Sequence, residues 1–213
     1  PLRFYYKIGG NDISVSGRPP TVYFHTTNTD PAFVRGRTLH EYTHLVQMAY
    51  GAESYVTRGG DGNENWHYDG PRWWSEGSAE WIVCVYGIAL GIEMDCQGHR
   101  ACKYYADAVQ SCNRTQGVGK VTIRHVLSPN LDMNLEWEAV ARCDIYRSHV
   151  YQGGLCAVGF AMDFEHTSGG IERLLSVFKS VARKDDWEQA FLSAFTYDSM
   201  REFYDAFDAH VGL

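Results

Sequence analysis

The residues of this 213-residue chain best suited to chemistry are His40-Glu41-Tyr42-Thr43-His44, an H-E-x-x-H pattern inside a stretch that reads as helical. Residues four apart share one helix face, so His40 and His44 can offer two imidazole nitrogens to a single metal ion, with Glu41 beside it. Few protein ligands, an open position for water and a carboxylate next to that water are what a catalytic zinc requires, in contrast to a structural one. The chemistry expected is hydrolysis assisted by one Zn2+.

A third ligand has to come from outside this helix, and two glutamates compete for the place. Glu64 follows His44 after 19 intervening residues, but it stands among glycines and asparagines. Glu76 follows after 31, in the aromatic-flanked stretch Trp73-Trp74-Ser75-Glu76-Gly77-Ser78-Ala79-Glu80-Trp81, which has helical periodicity. A ligand carboxylate needs a rigid support, which favours Glu76. Glu76 and Glu80 then fall on one helix face.

The elements that must carry these residues can be read from pattern. Residues 3–8 and 13–16 flank a Gly9-Gly10-Asn11-Asp12 turn signal and read as a hairpin; residues 21–26 read as a further strand, one able to border a substrate cleft. His25 on that strand is expected to be a sheet or surface residue. Asp30-Pro31 is a helix start and Gly51 a helix stop, so the metal helix spans the segment between them, with Gly36 a possible site of a kink. Residues 52–71 form an irregular loop in which Asp61, Asn63 and Glu64 lack the remaining ligands of a calcium loop, and in which Trp66 and His67, with Trp73 beyond, either line the cleft or pack the loop. Helices are expected over 74–90, 101–110, 134–147 and 155–165 and through the rest of the chain. In that last part Ile171, Leu174, Leu175 and Phe178 share a face, and Ser199-x-x-Glu202 is a capping box.

His40-Glu41-Tyr42-Thr43-His44 followed by Glu76-Gly77-Ser78-Ala79-Glu80 resembles the paired signature of gluzincin metallopeptidases, and most closely the catalytic domain of bacterial collagenases. The resemblance implies zinc held by His40, His44 and Glu76, Glu41 as the base, and Glu80 as a carboxylate that orients a ligand histidine. It also implies an oxyanion-stabilising tyrosine in a Tyr-x-x-Gly region; Tyr151 of Tyr151-Gln152-Gly153-Gly154 is the candidate, with His149 and Tyr146 as rivals. The metzincin pattern H-E-x-x-H-x-x-G-x-x-H is excluded, because Gln47 and Tyr50 occupy its glycine and third-histidine positions. No G-x-M-E-N segment of aminopeptidase type is present. The large activator lobe of those collagenases does not fit this length, so collagen itself is not an implied substrate.

The expected fold class is therefore α+β and zincin-like: one catalytic domain over 1–213, with a small N-terminal β-sheet and the metal helix in one lobe (about 1–70), a mostly helical lobe after it (about 71–213), and the cleft between. The expected activity is that of a zinc endopeptidase acting on peptides or proteins. Aminopeptidase action and a catalytically silent binding or toxin-like module are the alternatives.

Composition is that of an ordinary globular domain and not of a disordered chain, at 45% apolar and 21% charged residues. A net charge of −7 without a basic block argues against a nucleic-acid or anionic-membrane partner, and the apolar run 81–92 is too short to span a bilayer. Six cysteines (Cys84, Cys96, Cys102, Cys112, Cys143, Cys156) without a C-x-x-C pair read as three disulfides of unassigned pairing, and so as a secreted protein; the helix near 101–110 reads as a disulfide-pinned insertion. The sequon Asn113-Arg114-Thr115 points weakly the same way. The start at Pro1, with neither initiator Met nor signal peptide, reads as a mature or trimmed form.

Overall fold

The computed structural model describes residues 3–6, 11–16, 21–26, 30–51, 57–58, 64–65, 71–87, 98–116, 122–125, 146–162, 170–182 and 186–213, the strands among them by their backbone alone. Helix α1, Pro31–Gly51, begins as its sequence demands: the Asp30 carboxylate accepts from the Ala32 amide at 3.1 Å, and Pro31, lacking an N–H, fills the first turn. It runs unbroken through Gly36. Helix α2, Arg72–Gly87, carries the second acidic motif, and α3, Gly98–Gln116, follows. A π-helical segment, Tyr146–Gly153, leads directly into α4, Gly154–Ala161. The remaining helices are α5, Gly170–Ala182, α6, Trp187–Phe195, and α7, Met200–His210.

The expected α+β class is corrected by this architecture. Residues whose side chains are placed are 89% helical, and no strand is among them. Among the described residues the core is accordingly made by helix faces meeting helix faces. Extended backbone occurs as β1 (Arg3–Tyr6), β2 (Asn11–Ser16) and β3 (Thr21–Thr26), paired in the order β1-β3-β2, and as the two-residue rungs Thr57–Arg58 and Glu64–Asn65. The expected hairpin across Gly9-Gly10 does not form. β3 lies between β1 and β2, parallel to the first and antiparallel to the second, so the hairpin joins β2 to β3, with Ser16 opposite Thr21.

The centre of the helical core is a set of interlocked rings contributed by α2, α5, α6 and α7. Trp73 stacks on Phe203 at 5.7 Å and meets Trp74, Trp187 and Phe191 edge-on, while its indole N–H donates to the Tyr204 hydroxyl at 3.2 Å. Trp74 is enclosed by Phe178, Phe191 and Phe195. Both indoles are fully buried, so Trp73 belongs to the core and not to a cleft. Truncating such a ring costs about 3–5 kcal/mol, which is the measure of how firmly the first turn of α2, and Glu76 just after it, is anchored.

The expected helical face of α5 is present: Leu174 and Phe178 are buried, with Ile171 and Leu175 packed beside them. At the start of α7 the Ser199 hydroxyl accepts from the Glu202 amide at 3.1 Å, and the Glu202 carboxylate returns to the Asp198 amide, one residue before the cap. α3 is longer than expected and is no peripheral insertion. Cys102, Tyr105, Val109 and Cys112 form its buried stripe, Tyr105 stacks on Phe207, and Cys102 is bonded to Cys156 of α4. Cys112 is also in a disulfide, whereas Cys96 and Cys143 lie outside the described residues. The backbone at Asn113 is helical. The expected helix over 134–147 falls outside the described residues up to 145, and the one expected at 155–165 instead begins before Leu155 in the π-helical segment.

α2 and α4 touch backbone to backbone. A Cβ on Gly77 would sit 2.3 Å from the Gly154 carbonyl carbon, and one on Gly154 would sit 2.3 Å from the Trp73 carbonyl oxygen. Glycine inside a helix costs about 1 kcal/mol relative to alanine, and at both positions that cost accompanies a contact no other residue permits. Gly77→Ala is expected to destabilise the fold by about 3 kcal/mol or more, because the obstructing atoms are main chain and cannot rotate away. Thermal denaturation measures this; an unchanged melting temperature would remove the close contact from the account.

Candidate metal centre

Three side chains from two helices converge at one point. His40 and His44 lie one turn apart on α1, and Glu76 reaches them from α2, 36 residues further along the chain than His40. His40 Nε2 is 3.2 Å from Glu76 Oε2, His44 Nε2 is 3.3 Å from the same oxygen, and the two Nε2 atoms are 3.1 Å apart. Zinc–ligand bonds of about 2.0–2.1 Å at tetrahedral angles separate neighbouring donor atoms by about 3.3–3.4 Å. The triangle is within a few tenths of an ångström of that spacing. Its donors, two imidazole nitrogens and one carboxylate oxygen, suit zinc, so the residues fit the group that the sequence pattern implied.

Around the triangle stand the groups that orient it. Glu80 Oε1 lies 3.2 Å from His40 Nδ1, on the ring edge away from the triangle, and 3.6 Å from the Arg37 guanidinium. The contact with His40 is a close charge pair whose angles fall outside hydrogen-bond geometry. His44 Nδ1 lies 2.7 Å from the amide oxygen of Gln47, a fully buried residue that bridges to α2. Glu41 is buried with a carboxylate oxygen 4.0 Å from His40 Nε2.

Burial and charge set the protonation of these groups. Burial by itself would lower the His40 imidazole, but the hydrogen bond with Glu76 and the close negative charges of Glu80 and Glu76 outweigh it and raise the pKa to about 9. Burial would raise the Glu76 carboxyl; the two histidines reverse this and hold it well below the usual carboxylate range. Glu41 is raised, chiefly by burial, against the opposing pull of His44, His40 and Arg37.

The candidates for an oxyanion donor separate in space. Tyr151, half-buried in the π-helical segment, places its ring centroid 6.3 Å from that of His40. π-helical turns are frequent at functional sites because they re-aim side chains relative to an α-helix. His149 is fully buried, packs edge-on against Tyr105 at 5.1 Å, and has Nδ1 3.1 Å from the Ser148 hydroxyl. The side chains of Tyr146, Glu64, His25, Asp61, Asn63, Trp66 and His67 lie outside the described residues.

Gln47 and the glycine pair Gly77 and Gly154 are the contributors that sequence reasoning missed. Gln47 stands three positions after His44, a spacing that places it on the same helix face and could have revealed it. Comparisons of the chain with protein-family models, with curated proteins and with solved structures find no match. Among the described residues, no helix is long and apolar enough to cross a membrane.

Because the His40 imidazole retains its proton up to about pH 9, a cation entering the triangle at neutral pH has to displace it. Zinc affinity is therefore expected to fall as pH falls, by about tenfold per unit below that value, with about one proton released per ion bound. Calorimetry in buffers of different ionisation enthalpy reads the proton count. Affinity that stays flat across the neutral range would contradict the assignment of His40 as a ligand.

Proposed function

We propose that this protein is a zinc-dependent endopeptidase of the gluzincin type. The observation that carries the reading is the buried triangle of His40 Nε2, His44 Nε2 and Glu76 Oε2, with the Glu41 carboxylate beside it. His40, His44 and Glu76 would hold the metal, which supplies Lewis acidity: it polarises a carbonyl oxygen and acidifies a water.

The chain's own groups then divide the work. Glu41 accepts the water proton as the water oxygen adds to the scissile carbonyl carbon, and returns it to the amide nitrogen as the C–N bond breaks. A buried carboxylate with a raised pKa is suited to holding a proton between those two steps. Tyr151 donates its hydroxyl hydrogen to the carbonyl oxygen as negative charge develops there. Glu80 holds His40 from behind. The proposal includes secretion into an oxidising compartment, supported by the Cys102–Cys156 bond.

The test is mass-spectrometric mapping of cuts in a mixed peptide library, with the native protein and Glu41→Gln compared at equal zinc content. Internal cuts that vanish in the variant support an endopeptidase; stepwise loss from amino termini points to aminopeptidase action, and zinc binding without cleavage to a silent module. Glu41→Gln is expected to lower kcat by about 10²–10⁴ while retaining zinc. Tyr151→Phe is expected to lower kcat by about 10²-fold with KM nearly unchanged, as for loss of one oxyanion donor. Steady-state kinetics on a library-derived peptide checks this, and a change confined to KM would reassign Tyr151 to substrate binding.

A further inference from the structure

We infer that Gln47 is a positioning residue for the metal centre, holding His44 in the tautomer with its proton on Nδ1 and its lone pair on Nε2. The inference rests on the metal reading above and deepens it. The Gln47 side-chain nitrogen lies 2.9 Å from the main-chain oxygen of Ser75 and 3.1 Å from the Ser78 hydroxyl. A main-chain carbonyl only accepts hydrogen bonds, so the amide NH2 must face Ser75 and the amide oxygen must face His44. That oxygen also only accepts. The 2.7 Å contact with His44 Nδ1 therefore requires the proton to be on Nδ1. In a neutral imidazole this leaves the lone pair on Nε2, the atom that stands in the triangle.

The same contacts explain why the ring cannot turn away. Gln47 is 1% exposed, and the Ser75 hydroxyl donates to its amide oxygen at 3.3 Å, so oxygen and nitrogen are both occupied. Ser75 directly precedes Glu76, so one turn of α2 carries the carboxylate vertex of the triangle and also orients, through Gln47, one of its imidazole vertices. The partners of the two histidines differ in charge. His40 faces the Glu80 carboxylate, whereas His44 faces a neutral amide. The amide orients its ring without adding another negative charge to a cluster that already holds Glu41, Glu76 and Glu80.

Gln47→Met keeps the length of the side chain and removes both polar ends. Two readouts are needed: zinc affinity by competition with a chromogenic chelator, and the His44 tautomer by a long-range proton–nitrogen correlation spectrum of the metal-free protein at mildly alkaline pH. Support is zinc affinity lowered by about 10–100-fold in Gln47→Met, together with an Nδ1–H form of His44 in the native protein that is lost in the variant. A purely packing role would lower the melting temperature and leave the tautomer as it was, which overturns the inference. An Nε2–H form of His44 in the native protein also overturns it and needs no variant to fold. Native protein that shows the Nδ1–H form yet binds no zinc would reject the metal reading and leave the tautomer assignment standing.

Discussion

The backbones of α2 and α4 meet at Gly77 and Gly154 with no room for a side chain on either, and much of the site's geometry follows from that contact. The π-helical segment runs directly into α4, and it brings the Tyr151 ring to within 6.3 Å of that of His40 on α1. The residue before Gly77 is Glu76. The position that permits close approach and the position that supplies the carboxylate are thus consecutive, and a shift of α2 large enough to admit a Cβ would move the carboxylate by a similar amount. Trp73 and Trp74, gripped by rings from α5, α6 and α7, oppose such a shift from the other side.

Charge is the second constraint. Glu41, Glu76 and Glu80 gather around two imidazoles where water is scarce, and burying a carboxylate without a counter-charge is costly. The His40 proton supplies one positive charge and Arg37, at the rim, another. A divalent cation at the centre of the triangle would replace the proton and bring the positive charge closer to all three acids. Each imidazole is also held at its far nitrogen, His40 by an acid and His44 by an amide, so both rings are aimed before any ligand arrives. Prior aiming of this kind would spare the ordering cost of binding a metal at the triangle.

Several features that sequence pattern suggested were displaced by packing. β3 pairs with both of its neighbours and separates the strands that a Gly9-Gly10 turn would have joined. α3 looked like a pinned excursion because cysteines flank it; its Cys102, Tyr105, Val109 and Cys112 stripe instead makes it a core helix. Among the described residues helix packs on helix where a sheet layer was expected, since the large aromatic residues of the C-terminal half find enough apolar partners in one another.

What the sequence by itself determined is local. The 3.6-residue helical repeat puts His40 and His44 on one face, Asp30-Pro31 starts their helix, and Ser199 with Glu202 starts α7, all through interactions spanning four residues or fewer. Tertiary structure alone decided the rest. It selected which carboxylate meets the histidines across 36 residues, gave Gln47 its partners on α2, turned His149 into the core and Tyr151 toward His40, and made Gly77 a contact point in place of a helix defect. Helical geometry is fixed by bonds between near neighbours, whereas the meeting of α1, α2 and α4 depends on how whole faces fit, and no single residue type encodes that fit.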